Sequence, residues 1–425
     1  MVFPIKRQTT NHITTIQTDK FKTTVIKVSF KTRLSRETIT ERIMLANVLR
    51  NSCLKYPTKK QLSAHLADLY GASFSVSARK QGKIHAISFY VSVANEKFLK
   101  SAPPLFESAL KTLSEILMCP KMQNGSFDKS VVNLEKRLMK EDIESIFDDK
   151  TSYALKTMVR VMCENELFGI TGDGYIEDLP KITAQTLVKT YESMLENDQL
   201  SIVVLGDNEH EEVLKLFNDN FDFKTNEREE LCAIDFEEKE LTQVVTFKEE
   251  QLINQTKLNI GYRTSVRITD PEYFAMLVFN GVFGAFSHSK LFVNVREKES
   301  LCYYCSSQVD NFKGIMFVYS GLDLAQVPKA IKIIDKQLDD VRNGLVTDEE
   351  LFLAKKSIVN AKRESLDSNS GMLSDLEMSG ILGIDSEEFI NRVNSVTVDQ
   401  IKNIALNIKK DTVFTLEPCA KEVSL

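Results

Sequence analysis

The sequence predicts an α+β fold made of two similar halves, each a mainly antiparallel sheet covered by helices. Three observations lead to this prediction. Short segments alternate apolar and polar residues with the period of a strand, longer segments follow them with helical spacing, and the same order occurs twice along the chain. With 425 residues, of which 43% are hydrophobic, the chain is long enough for two domains of ordinary size.

The first half alternates strand-like and helix-like segments. In order, its predicted elements are a strand at Phe21–Phe30, helices near Thr40–Arg50 and at Leu62–Leu69, a strand pair over Phe74–Val93 that turns at Gln81-Gly82, a helix at Ala109–Leu117, further helix between Asp128 and Glu166, a helix opened at Thr183, and a strand at Ser201–Leu205.

The second half presents a similar series. Its predicted elements are a strand at Gln255–Tyr262, a helix at Pro271–Phe283 with Asp270 as its N-cap and Pro271 at the first helical position, a strand at Met316–Ser320, a helix at Thr347–Arg363 that starts near a capping box, and a final helix and strand over residues 396–418.

The final helix and strand of each half have matching positions. Ile182-Thr183 and Ser201–Leu205 precede Val396-Thr397 and Thr412–Leu416 by nearly the same number of residues. This spacing indicates an internal duplication, although helix–strand pairs are common enough to match by chance. We predict a first domain at residues 1–221, an acidic linker at 222–244 and a second domain at 245–425. An exposed loop within one domain has the same composition as a linker and is the alternative.

Composition excludes several classes of function. The net charge of −6 argues against non-specific nucleic-acid binding, which needs a basic face. The N-terminal sequence has no apolar segment typical of a secretory signal, and no stretch is long and apolar enough to cross a membrane. Seven scattered cysteines fit a reducing compartment. We therefore expect a cytoplasmic protein that binds neither nucleic acid nor membrane.

Metal and thiol chemistry have weak support in the residues themselves. The five histidines are never three or four positions apart, so no helical pair of zinc ligands exists. Cys302 and Cys305 form a CxxC motif, but a zinc site would need a second pair, and a redox site would need a helix N-terminus after a strand. The pattern favours two half-buried residues of a strand. A cysteine-based activity at this pair stays open as a minor alternative.

The segment Ser289–Tyr304 is the most informative for function. It joins a glycine-bearing loop to a helix and then to a strand, with Arg296 and Tyr303 seven positions apart. A guanidinium and a phenol suit a peptide carbonyl and the negative charge that it develops in a tetrahedral transition state. Taken alone, such a pair is more often a surface charge and a half-buried aromatic ring.

A resemblance to a known family supports a functional role for that segment. Asp270–Ser306, with the sequence DPEYFAMLVFNGVFGAFSHSKLFVNVREKESLCYYCS, resembles the second-half signature of the pitrilysin/insulinase (inverzincin) peptidases. LSIVVLGD at residues 200–207, VTDEELFLA at 346–354 and the KYPT segment at 55–58 also resemble that family. The resemblance implies its duplicated fold, and it implies that Arg296 and Tyr303 position substrate and stabilise the transition state.

The zinc motif of the family is missing. Its catalytic members have HxxEH on a helix shortly before the KYPT-like segment. The corresponding window here, TERIMLANVLRNSC at residues 40–53, has no histidine, and the resemblance places Ile43, Ala46 and Asn47 at the motif positions. Glu141 matches the downstream third ligand and is a possible relic. We therefore expect no metal, no cofactor and no peptidase activity in the chain by itself.

The resemblance implies a division of labour between two subunits. In two-subunit members one chain carries HxxEH, and the other contributes the Arg/Tyr pair. The expected function is thus the non-catalytic subunit of a zinc endopeptidase heterodimer, with an HxxEH-bearing homologue and a peptide substrate as partners and zinc in the partner. The alternative is a peptide-binding or scaffold protein of the same fold without proteolysis. Some bacterial members without the motif are associated with modification of elongation factor P, so that pathway belongs to the alternative.

Overall fold

Two compact units make up the protein. The structure, a computed structural model, describes residues 5–100, 103–223 and 230–419. The first unit takes the chain up to Ser145 together with Ile170–Ala233, and the second takes Ile146–Gly169 together with the chain from Ile234 onward. The chain therefore passes through the second unit once before it completes the first.

A six-stranded sheet in the order β1-β2-β8-β3-β5-β4 forms the first unit. Its strands are β1 (Lys6–Thr10), β2 (Ile13–Gln17), β3 (Thr23–Arg33), β4 (Ser73–Gln81), β5 (Ile84–Ala94) and β8 (Gln199–Gly206), and a small hairpin has β6 (Met122–Gln123) and β7 (Ser126–Phe127). Its helices are α1 (Ile39–Leu49), α2 (Lys59–Asp68), α3 (Leu105–Met118), α4 (Lys129–Ser145), α6 (Ala184–Asn197) and α7 (His210–Asn220).

The second unit contains a five-stranded sheet in the order β11-β12-β10-β13-β9. The strands are β9 (Val245–Gln251), β10 (Thr256–Arg263), β11 (Cys302–Asp310), β12 (Ile315–Leu322) and β13 (Lys409–Pro418). The helices are α5 (Lys150–Met162), α8 (Tyr273–Asn280), α9 (Val327–Arg342), α10 (Asp348–Ser365), α11 (Asn369–Leu382), α12 (Ser386–Ser395) and α13 (Val398–Asn407), and two π-helical turns cover Gly281–Ala285 and Phe292–Lys298.

The two sheets share one topology, which confirms the predicted α+β fold of two similar halves. β8 pairs antiparallel with β3 and parallel with β2, and β13 pairs antiparallel with β10 and parallel with β9. The strands β2, β8, β3, β5 and β4 thus correspond in order to β9, β13, β10, β12 and β11. The preceding helices match as well, because Thr183 and Thr397 each form a capping box. All other pairs within the two large sheets are antiparallel.

The second sheet is covered on both faces. One cluster of buried apolar residues lies between the sheet and the helices α8, α9 and α13. A separate cluster joins α5 to β12 and β13, with Met158 and Met162 of the helix against Phe317 and Phe414 of the strands. Because both faces of the sheet are covered, six consecutive residues of β13 are buried.

One predicted helix begins later than expected. Asp270 is not an N-cap, because α8 begins at Tyr273 and its N-cap position is Glu272. The Asp270 carboxylate accepts a hydrogen bond from the Arg267 backbone N–H at 2.6 Å, so it closes a turn before the helix. Beyond Asn280 the chain continues as a π-helical turn, so the predicted end at Phe283 combines two kinds of helix.

The acidic segment 222–244 has fixed contacts where the structure describes it. Asp235 is 1% exposed and lies 2.8 Å from the Lys313 ammonium, and Glu238 lies 2.8 Å from the Arg267 guanidinium. Ala233 accepts a hydrogen bond from the Lys83 backbone N–H in the first unit. The two units therefore do not meet at residue 222: the first unit extends to Ala233, and residues 146–169 belong to the second unit.

Candidate functional site

Helix α1 carries Ile43, Ala46 and Asn47, the residues that the resemblance places at the positions of the family's zinc motif. Ala46 is 1% exposed and belongs to the core of the first unit, and Ile43 packs against that core. A Cβ built on Gly174, whose φ is +82°, would lie 3.4 Å from the Ile43 side chain, so the loop backbone packs closely on this turn of α1. The Asn47 carbonyl accepts a hydrogen bond from the Asn51 side chain at 2.6 Å. These residues do not fit a zinc ion, which needs imidazole, thiolate or carboxylate ligands.

The carboxylate that faces α1 is Glu135, which sequence reasoning missed. Glu141 lies on an exposed face of α4, 3.8 Å from Arg137. Glu135 is 2% exposed, accepts a hydrogen bond from Asn51 at 3.0 Å and lies 3.0 Å from the Arg50 guanidinium. Helical spacing carried the signal, because the buried residues of α4 are Val132, Glu135 and Met139. The Glu135 carboxylate is thus engaged by Arg50 and Asn51.

Each histidine has surroundings of its own in the fold. His210 bonds Thr10 and Thr15, and His65 bonds Thr112. His12 packs edge-on against Phe223, and His288 stacks on Phe286, whereas His85 is buried in β5. Across residues 5–100, 103–223 and 230–419, no three His, Cys, Asp or Glu side chains are grouped in a way that could hold a metal ion.

Arg296 lies on the π-helical turn that precedes β11. Its guanidinium stacks over the Phe292 ring at 4.5 Å, and the residue is exposed to solvent. Arg296 lies four positions after Phe292, so one helical face carries both side chains. The ring supports the stem of the arginine and leaves its N–H groups available to solvent or to a ligand. π-Helical turns are rare and occur frequently at functional sites.

Tyr303 points outward because of a β-bulge. Cys302 pairs with Leu322 and Tyr304 pairs with Gly321, so Tyr303 is an extra residue without a partner on β12. Tyr303 is 77% exposed. Bulges re-aim side chains and are frequent beside active sites. The sequence gives no sign of this bulge, because it depends on the register of β11 against β12.

The electrostatic surroundings link Arg296 to the start of β11. A hydrogen bond from Cys305, together with Ser320 and the positive charge of Arg296, lowers the pKa of the Cys302 thiol to about 7 against the opposing effect of burial. Arg296 therefore lies close enough to act on the residue beside Tyr303. The predicted placement of Cys302 and Cys305 in a strand is confirmed, with Cys305 buried and Cys302 partly exposed.

Comparison with known proteins gives consistent matches along the chain. The family profile "Peptidase M16 inactive domain" matches residues 181–358. A protein of Bacillus subtilis (strain 168) named "Probable inactive metalloprotease YmfF" is 35% identical over 410 residues, which cover 96% of this chain and 95% of that protein. "Uncharacterized zinc protease YmxG" of the same strain is 25% identical over 293 residues, 66% of this chain and 69% of its own length.

Solved structures agree with these sequence matches. The crystal structure of a conserved protein from Enterococcus faecalis V583 has a TM-score of 0.90 and 33% identity, and the match covers 98% of this chain and 99% of that one. A peptidase M16 inactive domain from Pseudomonas fluorescens has a TM-score of 0.78 at 16% identity, with 98% of both chains covered, and at that identity the likeness concerns the fold alone. Within the described residues, no helix has the length and apolar character needed to span a membrane.

Proposed function

Because this chain belongs to the M16 peptidase family, to which the pitrilysin/insulinase signature also points, we propose that it is the non-catalytic subunit of a two-subunit zinc endopeptidase. The observation that carries the proposal is the contrast between its two candidate sites. The zinc-motif positions on α1 hold Ile43, Ala46 and Asn47, whereas Arg296 and Tyr303, on the π-helical turn and the strand that follows it, are both exposed.

The first step of the argument concerns what the chain lacks. Hydrolysis of a peptide bond in this family needs a metal-activated water and a general base, which HxxEH supplies. At the corresponding turn of α1, the buried carboxylate Glu135 is bound to Arg50 and Asn51 and has no ligand partner to share a metal with. A subunit built in this way depends on a homologous partner for zinc and for the base.

The second step concerns what the chain keeps. A guanidinium that is exposed and supported by Phe292 can donate two parallel hydrogen bonds to a peptide carbonyl. The Tyr303 hydroxyl can donate to the oxygen on which negative charge develops. Exposed aromatic and arginine side chains are also the residue types most enriched at binding hot spots. The substrate is therefore a peptide, held through its backbone.

The names of two relatives support a zinc-bearing partner for this zinc-lacking chain. Bacillus subtilis (strain 168) has both a relative named as a probable inactive metalloprotease and a relative named as a zinc protease. By their names, the two together would provide one inactive chain and one zinc protease. We propose the same pairing for the present chain, with an HxxEH-bearing homologue from its own source.

Native mass spectrometry with metal analysis tests the pairing. The tagged chain is isolated from its own cells, and the proposal expects a second subunit with HxxEH and about one zinc ion per pair, as in catalytic zinc sites. The chain purified alone should be metal-free and should cleave no peptide. Recovery of this chain only, self-associated and without zinc, would overturn the pairing and favour a scaffold or peptide-binding role.

Substitutions in the reconstituted pair test the Arg/Tyr element. Arg296→Ala and Tyr303→Phe should each lower kcat of peptide cleavage by about 10²–10³-fold, because each removes a donor to the transition state. Arg363→Ala and Tyr70→Phe are matched controls at exposed positions and should leave kcat unchanged. If all four variants cleave at the same rate, Arg296 and Tyr303 have no role in the reaction.

A further inference from the structure

The β-bulge at Tyr303 brings two thiols to one face of β11. Cys302 lies opposite Leu322, and Cys305 lies opposite Ser320. Leu322 and Ser320 are two positions apart on β12, so they share a face, and their partners share it too. In a regular strand, residues three apart point to opposite faces.

The bulge also shortens the distance between the two cysteines. Three steps along β11 match two steps along β12, and two strand steps cover about 6.8 Å. Disulfides usually join Cα atoms about 4.4–6.8 Å apart. The two side chains already touch, because a hydrogen bond links the Cys302 and Cys305 thiols and helps to lower the pKa of Cys302. Little backbone movement separates this pair from a covalent bond.

The two thiols differ in exposure and in pKa, as the attacking and the resolving thiol of a thiol–disulfide exchange do. Cys302 is partly exposed, and the hydrogen bond from Cys305 lowers its pKa to about 7, so a large fraction is nucleophilic thiolate near neutral pH. Cys305 is 2% exposed, and its pKa is raised by the Cys302 thiolate that it donates to and by burial. Cys302 thus has the properties of an attacking thiol, and Cys305 those of a protected resolving thiol.

We propose that Cys302 and Cys305 form a reversible disulfide that changes how the bulge presents Tyr303. The oxidant is a low-molecular-weight disulfide such as glutathione disulfide. The Cys302 thiolate attacks one sulfur of the oxidant and releases one glutathione thiolate, which takes up a proton. Cys305 then loses its proton and attacks the Cys302 sulfur, and the second glutathione leaves. Two protein thiols lose two electrons and two protons, and one glutathione disulfide becomes two glutathione molecules.

Because Tyr303 lies between the two cysteines, a disulfide bond would affect the conformation of Tyr303. A disulfide would hold Cys302 and Cys305 at a fixed distance, and the only freedom left between them would belong to Tyr303 and Tyr304. The Tyr304 ring packs directly on Gly321, opposite it on β12, since a Cβ there would be 2.7 Å from the ring. Control of peptide cleavage by this bond rests on the proposed function, whereas the bond itself does not.

Another pair of cysteines provides the internal comparison. Cys53 forms an isolated bridge with Pro120, beside Cys119, so these two thiols are also near each other. Cys53 is fully buried and burial raises its pKa, which makes it a poor nucleophile near neutral pH. The proposal therefore predicts a disulfide at Cys302–Cys305 and none at Cys53–Cys119.

The test uses the full chain with glutathione disulfide near pH 7.5, followed by alkylation of the remaining thiols and peptide mass spectrometry. We expect a Cys302–Cys305 bond, seen as a loss of about 2 Da for two hydrogens, which dithiothreitol reverses. Cys305→Ala should retain one glutathione on Cys302, and Cys302→Ala should leave Cys305 unmodified. Reaction only at Cys119 or Cys232, or a Cys53–Cys119 bond in place of the expected one, would overturn the proposal.

Hydrogen exchange of the oxidised and reduced chain tests the effect on the bulge. Amide exchange should change in the peptide that contains residues 301–306 and in the facing part of β12, and nowhere in the first sheet. Identical exchange in both states would refute the conformational part. In the reconstituted pair, oxidation should lower peptide cleavage for the wild type but not for Cys302→Ala. Absence of cleavage in the reduced pair would instead count against the proposed function.

Discussion

His85 shows how one buried side chain makes the fold sensitive to pH. It lies at the start of β5, between β3 and β4, it is 1% exposed, and both ring nitrogens lack a hydrogen-bond partner among the described residues. Burial, with a smaller contribution from the Arg42 charge, lowers the pKa of His85 to about 3. The folded state therefore holds the imidazole neutral, and protons bind more readily to the unfolded chain.

We predict that acid weakens the fold through this residue. Stability is complete above the ordinary histidine pKa of 6.5 and is lost as the pH falls toward 3. Between about pH 6.5 and pH 5, the free energy of unfolding should fall by about 1.6 kcal/mol, measured by urea denaturation. His85→Leu should remove this part of the dependence of the free energy of unfolding on pH. His65 and His288, whose pKa values burial also lowers, leave a smaller slope, and an unchanged slope in the variant would contradict the prediction.

The Arg/Tyr pair depends at the element scale on the π-helical turn Gly281–Ala285. This turn is bound to β11 by two hydrogen bonds, one from the Ser307 hydroxyl to Asn280 at 2.6 Å and one from the Ser306 hydroxyl to the Gly284 carbonyl at 2.8 Å. A Cβ on Gly284 would lie 2.8 Å from both the Ser307 Cβ and a methyl group of Leu291. Glycine is thus required here by the close approach of the turn to the strand.

Two glycine substitutions should have opposite effects. Gly284→Ala should destabilise the protein by about 1–3 kcal/mol, because the added methyl group forces β11 and the π-helical turn apart. Gly380→Ala is the matched control in α11, where nothing lies within 4 Å of an added Cβ. It should stabilise by about 0.5–1 kcal/mol through the higher helix propensity of alanine. Thermal unfolding measures both, and equal shifts in the two variants would contradict the packing argument.

At the scale of the whole molecule, a buried charge cluster attaches Ile146–Gly169 to the second unit. Glu166 lies 2.7 Å from both the Arg263 guanidinium and the Lys313 ammonium. Arg263 also lies 2.7 Å from Asp411, and Lys313 lies 2.8 Å from Asp235. The two cations thus pair with three carboxylates, and these carboxylates come from three separate parts of the chain. The apolar contacts of α5 hold the segment on the sheet, and the charges determine its position along it.

Removal of Glu166 should loosen this segment. Glu166→Ala leaves Arg263 and Lys313 with one carboxylate each in a largely buried site, and we expect a loss of about 3 kcal/mol in the free energy of unfolding. Amide exchange of α5 should accelerate at the same time. Glu164→Ala, two positions away and exposed, should change the free energy by no more than about 0.5 kcal/mol. Similar losses in the two variants would show that the cluster contributes nothing specific.

Local pattern was sufficient for much of the fold. The alternation in Phe21–Phe30 and Gln255–Tyr262 predicted β3 and β10, and the threonines at 183, 347 and 397 marked helix starts that the structure confirms. It failed at Asp270, since a carboxylate before a helix can equally well close a turn. The strands β1, β2 and β9 were missed, because short or half-exposed strands have little periodicity. The helices α7, α9, α11 and α12 were missed as well.

The sequence by itself determined the fold class, the duplication and the loss of the zinc motif, because these depend on residue types and on short-range spacing. Only the tertiary structure decided that Glu135 and not Glu141 faces α1, that residues 146–169 belong to the second unit, and that Cys302 and Cys305 share a face. Each of these depends on which segments pair and in which register. A shift of one residue exchanges the two faces of a strand, and no local pattern records that choice.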